Sequence, residues 1–367
     1  MTREADLRHM RHAVALASRG VGRTGRVPSV GCVVVAPDGR VIARGRTDES
    51  GRPHAEAVAL AAAGGAARGA TAYVTLEPCS HSGANGGPCA DALIAAGVAR
   101  VAIACVDPDP RVNGQGIARL RTAGIAVDVG LAEREAAEAL GGFFSHVLRK
   151  RPFVTLKIAQ SLDGRTVAAN GGSKWITGET SRRFGHLLRA RNDAILIGSN
   201  TALADDPDLT CRIPGLERHS PWRVVLDSRL SLSATSKLAT TASKIRTVVF
   251  TVAPTGGGEL ASAGVEIVRV QRDAQGRPEL DAVLEDLSRR NVTRLLVEGG
   301  AAVHAAFLDA GRVDGLEVFT APITLGGAGH GAVAALAAQT VGEAPRFTLQ
   351  SVRRFGADLL ESYRAKA

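Results

Sequence analysis

Four residues in the first third of the chain have the types and spacing of a reacting metal site: His54-Ala55-Glu56, then Pro78-Cys79, then Cys89. Zinc at a catalytic site takes three protein ligands and leaves its fourth position to water. His54, Cys79 and Cys89 would supply one imidazole and two thiolates, which predicts one zinc ion per chain. Bound zinc lowers the pKa of its water to about 7, so hydroxide is available near neutrality. Glu56, two residues past the histidine, would stand beside the open position without ligating the metal and carry protons there. A purely structural zinc would want a fourth protein ligand, for which His81 is the nearby candidate, and would have no use for Glu56.

A His-x-Glu followed by Pro-Cys and a second cysteine is the zinc-deaminase signature, in which the metal activates water and the glutamate shuttles protons. The second half carries a looser set. Lys157 to Gly164 leaves a strand into a tight turn, followed by Ser173 to Thr177, Arg189, Asn200-Thr201, Asp205-Asp206-Pro207 and Arg212. Glu298-Gly299-Gly300 follows a strand and opens a helix. Glycines there let backbone N–H groups approach a phosphate, and a helix N-terminus favours negative charge. Taken alone, such a Gly-Gly pair serves the turn. No G-x-G-x-x-G follows the first strand of this half.

The elements that must position these residues alternate between helix and strand. In the first half, helical spacing over 4–19 is followed by a hairpin pattern at 30–35 and 41–43. A helix is expected over 54–63 with Pro53 at its entrance, strands at 71–76, 101–106 and 125–129, and helices at 88–96, 116–123 and 133–149. Arg149-Lys150-Arg151-Pro152 breaks the pattern and suggests a boundary, with one domain over 1–150 and another over 151–367. Beyond it, strands are expected at 153–158, 194–197, 223–226, 247–252, 265–270, 294–297 and 315–319. Helices are expected at 180–191, 280–290 and 302–310, and a Ser/Thr-rich loop at 228–243. Both halves therefore read as α/β.

A length of 367 residues suits two domains, and 45% hydrophobic with 22% charged residues is ordinary globular composition. The net charge is +9, but only six of the 45 basic residues are lysine and the arginines are interspersed with acids. No dense basic run marks a nucleic-acid surface. No apolar run has the length of a membrane helix, and residues 1–11 are charged, so the expectation is a cytoplasmic protein with no membrane partner. Disulfides are not expected there, and Cys32, Cys105 and Cys211 lie in or beside apolar stretches as core residues.

Residues 7–130 resemble the deaminase half of the bifunctional riboflavin-biosynthesis deaminase/reductase family. The resemblance lies in Val30-Gly31-Cys32-Val33-Val34-Val35, Pro53-His54-Ala55-Glu56, Thr75-Leu76-Glu77-Pro78-Cys79-Ser80-His81, the run Asp91 to Val98, and Asp107-Pro108 with Gly114 and Gly116-Ile117. Three positions depart from the family pattern. Val27 replaces an asparagine that helps bind substrate, Asp109 stands where asparagine is common, and the loop between Cys79 and Cys89 is one residue longer, at Ala84-Asn85-Gly86-Gly87. Residues 152 to about 330 resemble the reductase half, and the resemblance fades after that.

The resemblance implies a cytidine-deaminase-like zinc domain followed by a dihydrofolate-reductase-like α/β domain. It implies zinc-dependent deamination of a diaminopyrimidinone ribosylamine 5′-phosphate, then NADPH-dependent reduction of the ribosyl chain to ribityl. By family position, Ala159, Trp175, Thr201, Asp205, Ser228 and the segment Gly300, Ala301, Ala302, Val303, His304, Ala305 and Ala306 would contact NADPH. Ser173, Arg189, Leu209, Arg212 and Glu298 would bind the substrate, with the two arginines converging on its phosphate. Lys157 and Asp205 are candidates for polar assistance to hydride transfer. The implied partner is a small phosphorylated pyrimidine and not a nucleic acid, and the implied assembly is a homo-oligomer, dimer or tetramer. Two other readings remain open: a zinc deaminase of a different pyrimidine or nucleoside fused to a reductase, and a non-catalytic zinc protein that binds RNA.

Overall fold

The computed structural model describes residues 2–81, 87–172 and 175–366. The chain divides into two compact units, Met1–Lys150 and Arg151–Ala367. Among the described residues no helix is long and apolar enough to cross a membrane.

The first unit runs α1 (Arg3–Gly20), β1 (Gly31–Val35), β2 (Val41–Arg46), α2 (Ala55–Ala63), β3 (Thr71–Leu76), α3 (Cys89–Ala96), β4 (Arg100–Cys105), α4 (Gln115–Thr122), β5 (Ala126–Val129) and α5 (Glu133–Arg149). Its sheet has the order β2-β1-β3-β4-β5. The β1 strand is antiparallel to both neighbours, while β3, β4 and β5 are parallel. Parallel strands covered on both faces read as unbroken apolar runs, and β3, parallel to β4, is buried at every position, as is the antiparallel β1. In α1, Met10, Ala13 and Ala17 recur at helical spacing and face the core, and Thr2 accepts the Ala5 N–H as N-cap. In α2, the small side chains of Ala55, Ala59 and Ala63 form the buried face and let the helix lie close to the sheet.

The second unit runs β6 (Phe153–Ser161), β7 (Arg165–Val167), α6 (Glu179–Ala190), β8 (Ala194–Gly198), α7 (Ser199–Asp205), β9 (Trp222–Leu226), α8 (Lys237–Thr240), β10 (Thr247–Thr251), α9 (Gly258–Ser262), β11 (Glu266–Arg269), α10 (Leu280–Arg289), β12 (Arg294–Gly299), α11 (Ala301–Asp309), β13 (Gly315–Ala321), β14 (His330–Gly331), β15 (Phe347–Phe355) and β16 (Asp358–Ala365). The main sheet has the order β11-β10-β9-β8-β12-β6-β13-β16-β15, with β7 and β14 forming a separate pair. It is parallel from β11 through β13 and antiparallel at the β13-β16-β15 end. One face is filled by Leu156, Val224, Phe250, Leu287 and Phe307, the other by Ile195, Val225, Val249, Leu296 and Phe319.

Several features differ from the sequence-based expectations, among them a short helix, α8, inside the stretch 228–243 expected to be a loop, where Ser236 accepts the Ala239 N–H as N-cap. The α2 helix begins at Ala55, so His54 is its N-cap and Pro53 lies outside it. The β6 strand continues three residues past Ile158, because Ala159, Gln160 and Ser161 pair with Phe319, Thr320 and Ala321 of β13. The chain beyond residue 330 carries the β15–β16 ribbon, which closes one edge of the sheet.

Candidate active sites

In the first unit the site lies where α2, the end of β3 and the start of α3 meet. His54 caps α2 in extended conformation, Cys79 follows β3, and Cys89 is the first residue of α3. The His54 Nδ1 is 3.7 Å from Cys79 Sγ and 3.4 Å from Cys89 Sγ. All three ligand atoms lie within 4.8 Å of one another. Zinc bonds of about 2.3 Å to sulfur and 2.0–2.1 Å to nitrogen at tetrahedral angles would separate such atoms by about 3.5–3.8 Å. The donor set and its spacing therefore fit zinc. The Cys89 backbone N–H also donates to Cys79 Sγ at 3.4 Å. The Cys79 thiol is drawn down, first by its hydrogen bond with the Cys89 thiol and also by His54, while Cys89 is pushed up.

Glu56 is 3% exposed in the first turn of α2. Burial raises its carboxyl to about 7, against the opposing pull of its own backbone N–H and His54. A buried carboxyl in the cavity beside His54 and Cys79 is suited to taking and returning protons.

The surrounding cavity, about 270 Å³, is lined by His54, Glu56 and Cys79 together with Val27, His81, Asp107, Asp109 and three arginines. Of the three departures from the family pattern, Val27 and Asp109 line this cavity. Residues 84–86 of the lengthened loop lie outside the described residues. Asp109 is held at about 2 by hydrogen bonds from Arg111, whose Nε lies 3.0 and 3.1 Å from its two oxygens. Burial raises Asp107 to about 6. The sequence reading missed Glu77, although it falls in a matching motif. Its buried carboxylate accepts the backbone N–H groups of Asp107 at 3.2 Å, Gly114 at 2.9 Å and Ile117 at 3.1 Å.

In the second unit a cavity of about 440 Å³ gathers Lys157, Ala159, Trp175, Arg189, Thr201, Asp205, Leu209, Arg212, Glu298, Gly300, Ala301 and His304. A second cavity of about 600 Å³ gathers Thr201, Ser228, Gly300, Ala301, Ala302, Val303 and Ala306. The two share Thr201, Gly300 and Ala301 at the start of α11. Gly299 and Gly300 both have left-handed φ, 97° and 82°, which the turn from β12 into α11 requires. Ala305 is buried and lines neither cavity. Ser173 lies outside the described residues. Trp175 is 66% exposed, with the Arg182 guanidinium 4.7 Å from its ring centroid.

Arg189 and Arg212 share the first cavity but not the same environment. Arg189 is nearly buried and donates from Nε and Nη2 to the two oxygens of Glu298, and from Nη1 to the Thr210 carbonyl at 3.0 Å. Arg212 is half exposed and faces Asp208 at 3.6 Å. Burial opposes ionisation of Glu298, but the charges of Arg189 and Lys157 outweigh it and hold the carboxyl at about 2. His186, one helical turn before Arg189 on α6, also lines the cavity, with Nδ1 2.9 Å from the Thr210 carbonyl. Its spacing from Arg189 was the available signal, because residues i and i+3 share a helix face.

These geometries define a zinc-type deaminase unit and a reductase unit on one polypeptide, and comparison with known proteins agrees. Residues 3–105 match the family described as the cytidine and deoxycytidylate deaminase zinc-binding region, and residues 152–360 match the RibD C-terminal domain. The second match runs past residue 330, where the sequence resemblance was expected to fade. The riboflavin biosynthesis protein RibD of Aquifex aeolicus is 39% identical over 362 residues, covering 98% of each chain. The solved structure of Acinetobacter baumannii RibD, form 1, superposes with a TM-score of 0.87 at 37% identity and covers both chains fully. A Thermotoga maritima structure described as a diaminohydroxyphosphoribosylaminopyrimidine deaminase/5-amino-6-(5-phosphoribosylamino)uracil reductase gives 0.86 at 34% identity, covering 99% of each. The chain belongs to the RibD family and is a bifunctional deaminase and reductase of riboflavin biosynthesis.

Proposed function

We propose that the first unit hydrolyses the 2-amino group of 2,5-diamino-6-ribosylamino-4(3H)-pyrimidinone 5′-phosphate, and that the second reduces the ribosyl chain of the product to ribityl with NADPH. The observation that carries the deaminase step is the buried Glu56 carboxyl beside the His54–Cys79–Cys89 cluster. Those three residues would hold one zinc ion, which supplies an activated water when bound. Glu56 would hold a proton taken from the attacking water and return it to the departing amine; the C–O bond forms, the C–N bond breaks, the second proton of the water stays on the ring as N–H, and ammonia leaves. Asp107 on the cavity wall offers a carboxylate to the N–H groups of the heterocycle.

In the reductase, Ser228, Thr201 and the first turns of α11 would hold NADPH along the second cavity, where the helix N-terminus favours its phosphates. Ala159, Trp175 and Asp205 line the first cavity and would contact the cofactor from there. Glu298, held charged by Arg189, accepts hydrogen bonds from the sugar. Arg212 is the cation placed to take the phosphate, and Lys157 supports charge during hydride transfer. The protein's share in that step is positioning and electrostatics.

The test is incubation of the zinc-loaded protein with the diaminopyrimidinone phosphate. Without cofactor, mass analysis should find NH2 replaced by OH. With NADPH, it should find two further hydrogens on the product. NADH should serve far less well, and equal efficiency with both would rule out the cofactor assignment.

A further inference from the structure

The cavity of the first unit has a charge pattern that hydrolysis at the metal does not use. Three arginines line it, Arg26, Arg52 and Arg111. Arg111 is satisfied by Asp109. Arg26 and Arg52 have no hydrogen bond, ion pair or ring contact from their guanidinium groups among the described residues.

The two side chains come from different loops, residues 21–30 before β1 and 47–54 before α2. These loops are tied together. The Thr47 N–H donates to the Val30 carbonyl at 3.0 Å, and Thr47 Oγ1 donates to the Pro28 carbonyl at 3.1 Å. Gly51 has φ 85°, and a Cβ there would stand 2.9 Å from Val27 Cγ2. The residues beside Arg52 and Arg26 are thus in contact, a closeness only glycine permits. Two nearby arginines that do not line the cavity, Arg23 and Arg46, share the Glu49 carboxylate at 3.6 and 3.8 Å, whereas no carboxylate is paired with Arg26 or Arg52 among the described residues. Neighbouring like charges repel, and an anion between them removes that cost.

We propose that Arg26 and Arg52 form a phosphate clamp at the deaminase cavity, taking the phosphate monoester of its substrate; this rests on the pyrimidine-phosphate reading above. Guanidinium forks match pairs of phosphate oxygens. The Asp107 and Asp109 carboxylates in the same cavity repel a phosphate. The clamp therefore sets the direction of binding, with the heterocycle toward His54, Cys79 and Cys89 and the phosphate toward the two loops.

Two measurements test this on the full zinc-loaded chain. The first compares deamination of the phosphorylated pyrimidinone with that of its dephosphorylated form. Wild type should prefer the phosphate ester. Arg52→Ala or Arg26→Ala should cut that preference roughly 10- to 150-fold, mainly through KM, as expected for loss of charged hydrogen bonds. Arg52→Lys should restore part of it. Zinc content and reductase activity, measured alongside, show that the variants fold. An unchanged preference in both alanine variants overturns the clamp. If wild type deaminates neither form, the substrate reading fails by itself, and the second measurement decides the clamp. In that experiment arginines are modified with phenylglyoxal in the presence or absence of inorganic phosphate and mapped by mass spectrometry. Arg26 and Arg52 should be modified and then protected by phosphate. Equal modification in both conditions overturns the proposal.

Discussion

Arg189 and Glu298, 109 residues apart in the chain, meet as a two-point ion pair with Nε–Oε1 at 2.8 Å and Nη2–Oε2 at 2.9 Å. The edge of Arg189 best shaped for a phosphate is therefore already occupied by a carboxylate. In this structure its work is to hold Glu298 charged and oriented.

Removing one partner of a buried pair leaves the other charge unpaired, at a cost of roughly 3–5 kcal/mol. Arg189→Ala should lower the thermal midpoint of the second unit and abolish reduction, while deamination persists. The loss should depend on pH. The Glu298 carboxyl is held below its ordinary 4.5, at about 2, so its contribution is present above the unfolded value and fades as pH falls through the folded one. Without Arg189 the buried acid should be protonated more readily, so the gap between wild type and variant should narrow as pH falls below about 4. Calorimetry of both proteins across pH checks this, and a gap that widens toward acid would contradict it.

Arg212 is the better candidate for the phosphate, because its partner Asp208 stands 3.6 Å away and both groups are half exposed. Arg212→Ala should weaken use of the phosphorylated reductase substrate by roughly 10- to 150-fold. NADPH binding and deamination should change little. Steady-state kinetics on the deaminated intermediate, with and without its phosphate, would separate phosphate reading from general damage. Equal discrimination by wild type and variant would remove Arg212 from that role.

These two arginines show where the sequence is informative. The gathering of His54, Cys79 and Cys89, with Glu56 in the same cavity, could be read in advance because their types are uncommon together and helix and strand ends fix their spacing. The capture of Arg189 by Glu298 could not, since it joins residues of α6 and β12 that lie far apart in the chain and meet only in the folded structure. Ala159, Gln160 and Ser161 have no strand-like pattern of their own and become β structure by pairing with β13. The β15 strand is exposed along most of its length, so it lacks the apolar alternation that marks a half-buried strand.

The two roles in the zinc-type cluster should separate by substitution. Cys79→Ser should lose most of the bound zinc, because a hydroxyl is a far poorer ligand than a thiolate. Glu56→Gln should retain the metal and lose deamination by at least about 100-fold, the usual worth of a positioned proton carrier. It should still reduce the deaminated intermediate. Elemental analysis and separate assays of the two steps are the measurements. Full zinc in Cys79→Ser would mean that the ligands are misassigned.

Glu77 offers a test of how the cavity wall is held. Its Oε2 accepts the N–H groups of Asp107 and Gly114, and its Oε1 accepts that of Ile117, at the start of α4. One carboxylate thus pins both ends of the segment that carries Asp107, Asp109 and Arg111 along the cavity. In Glu77→Gln one oxygen remains, and the amide N–H2 faces a backbone donor. At least one buried N–H loses its acceptor, at a cost of about 1–3 kcal/mol. The first unit should melt lower, and Glu77→Ala, which leaves all three donors unpaired, should melt lower still. Since Asp107 and its neighbours would touch substrate and not the metal, Glu77→Gln should raise the deaminase KM more than it lowers kcat. Zinc content and reductase activity should be kept. Thermal melting with kinetics of both steps measures this. A Glu77→Gln variant with the wild-type midpoint and KM would show that the wall is held by something other than this carboxylate.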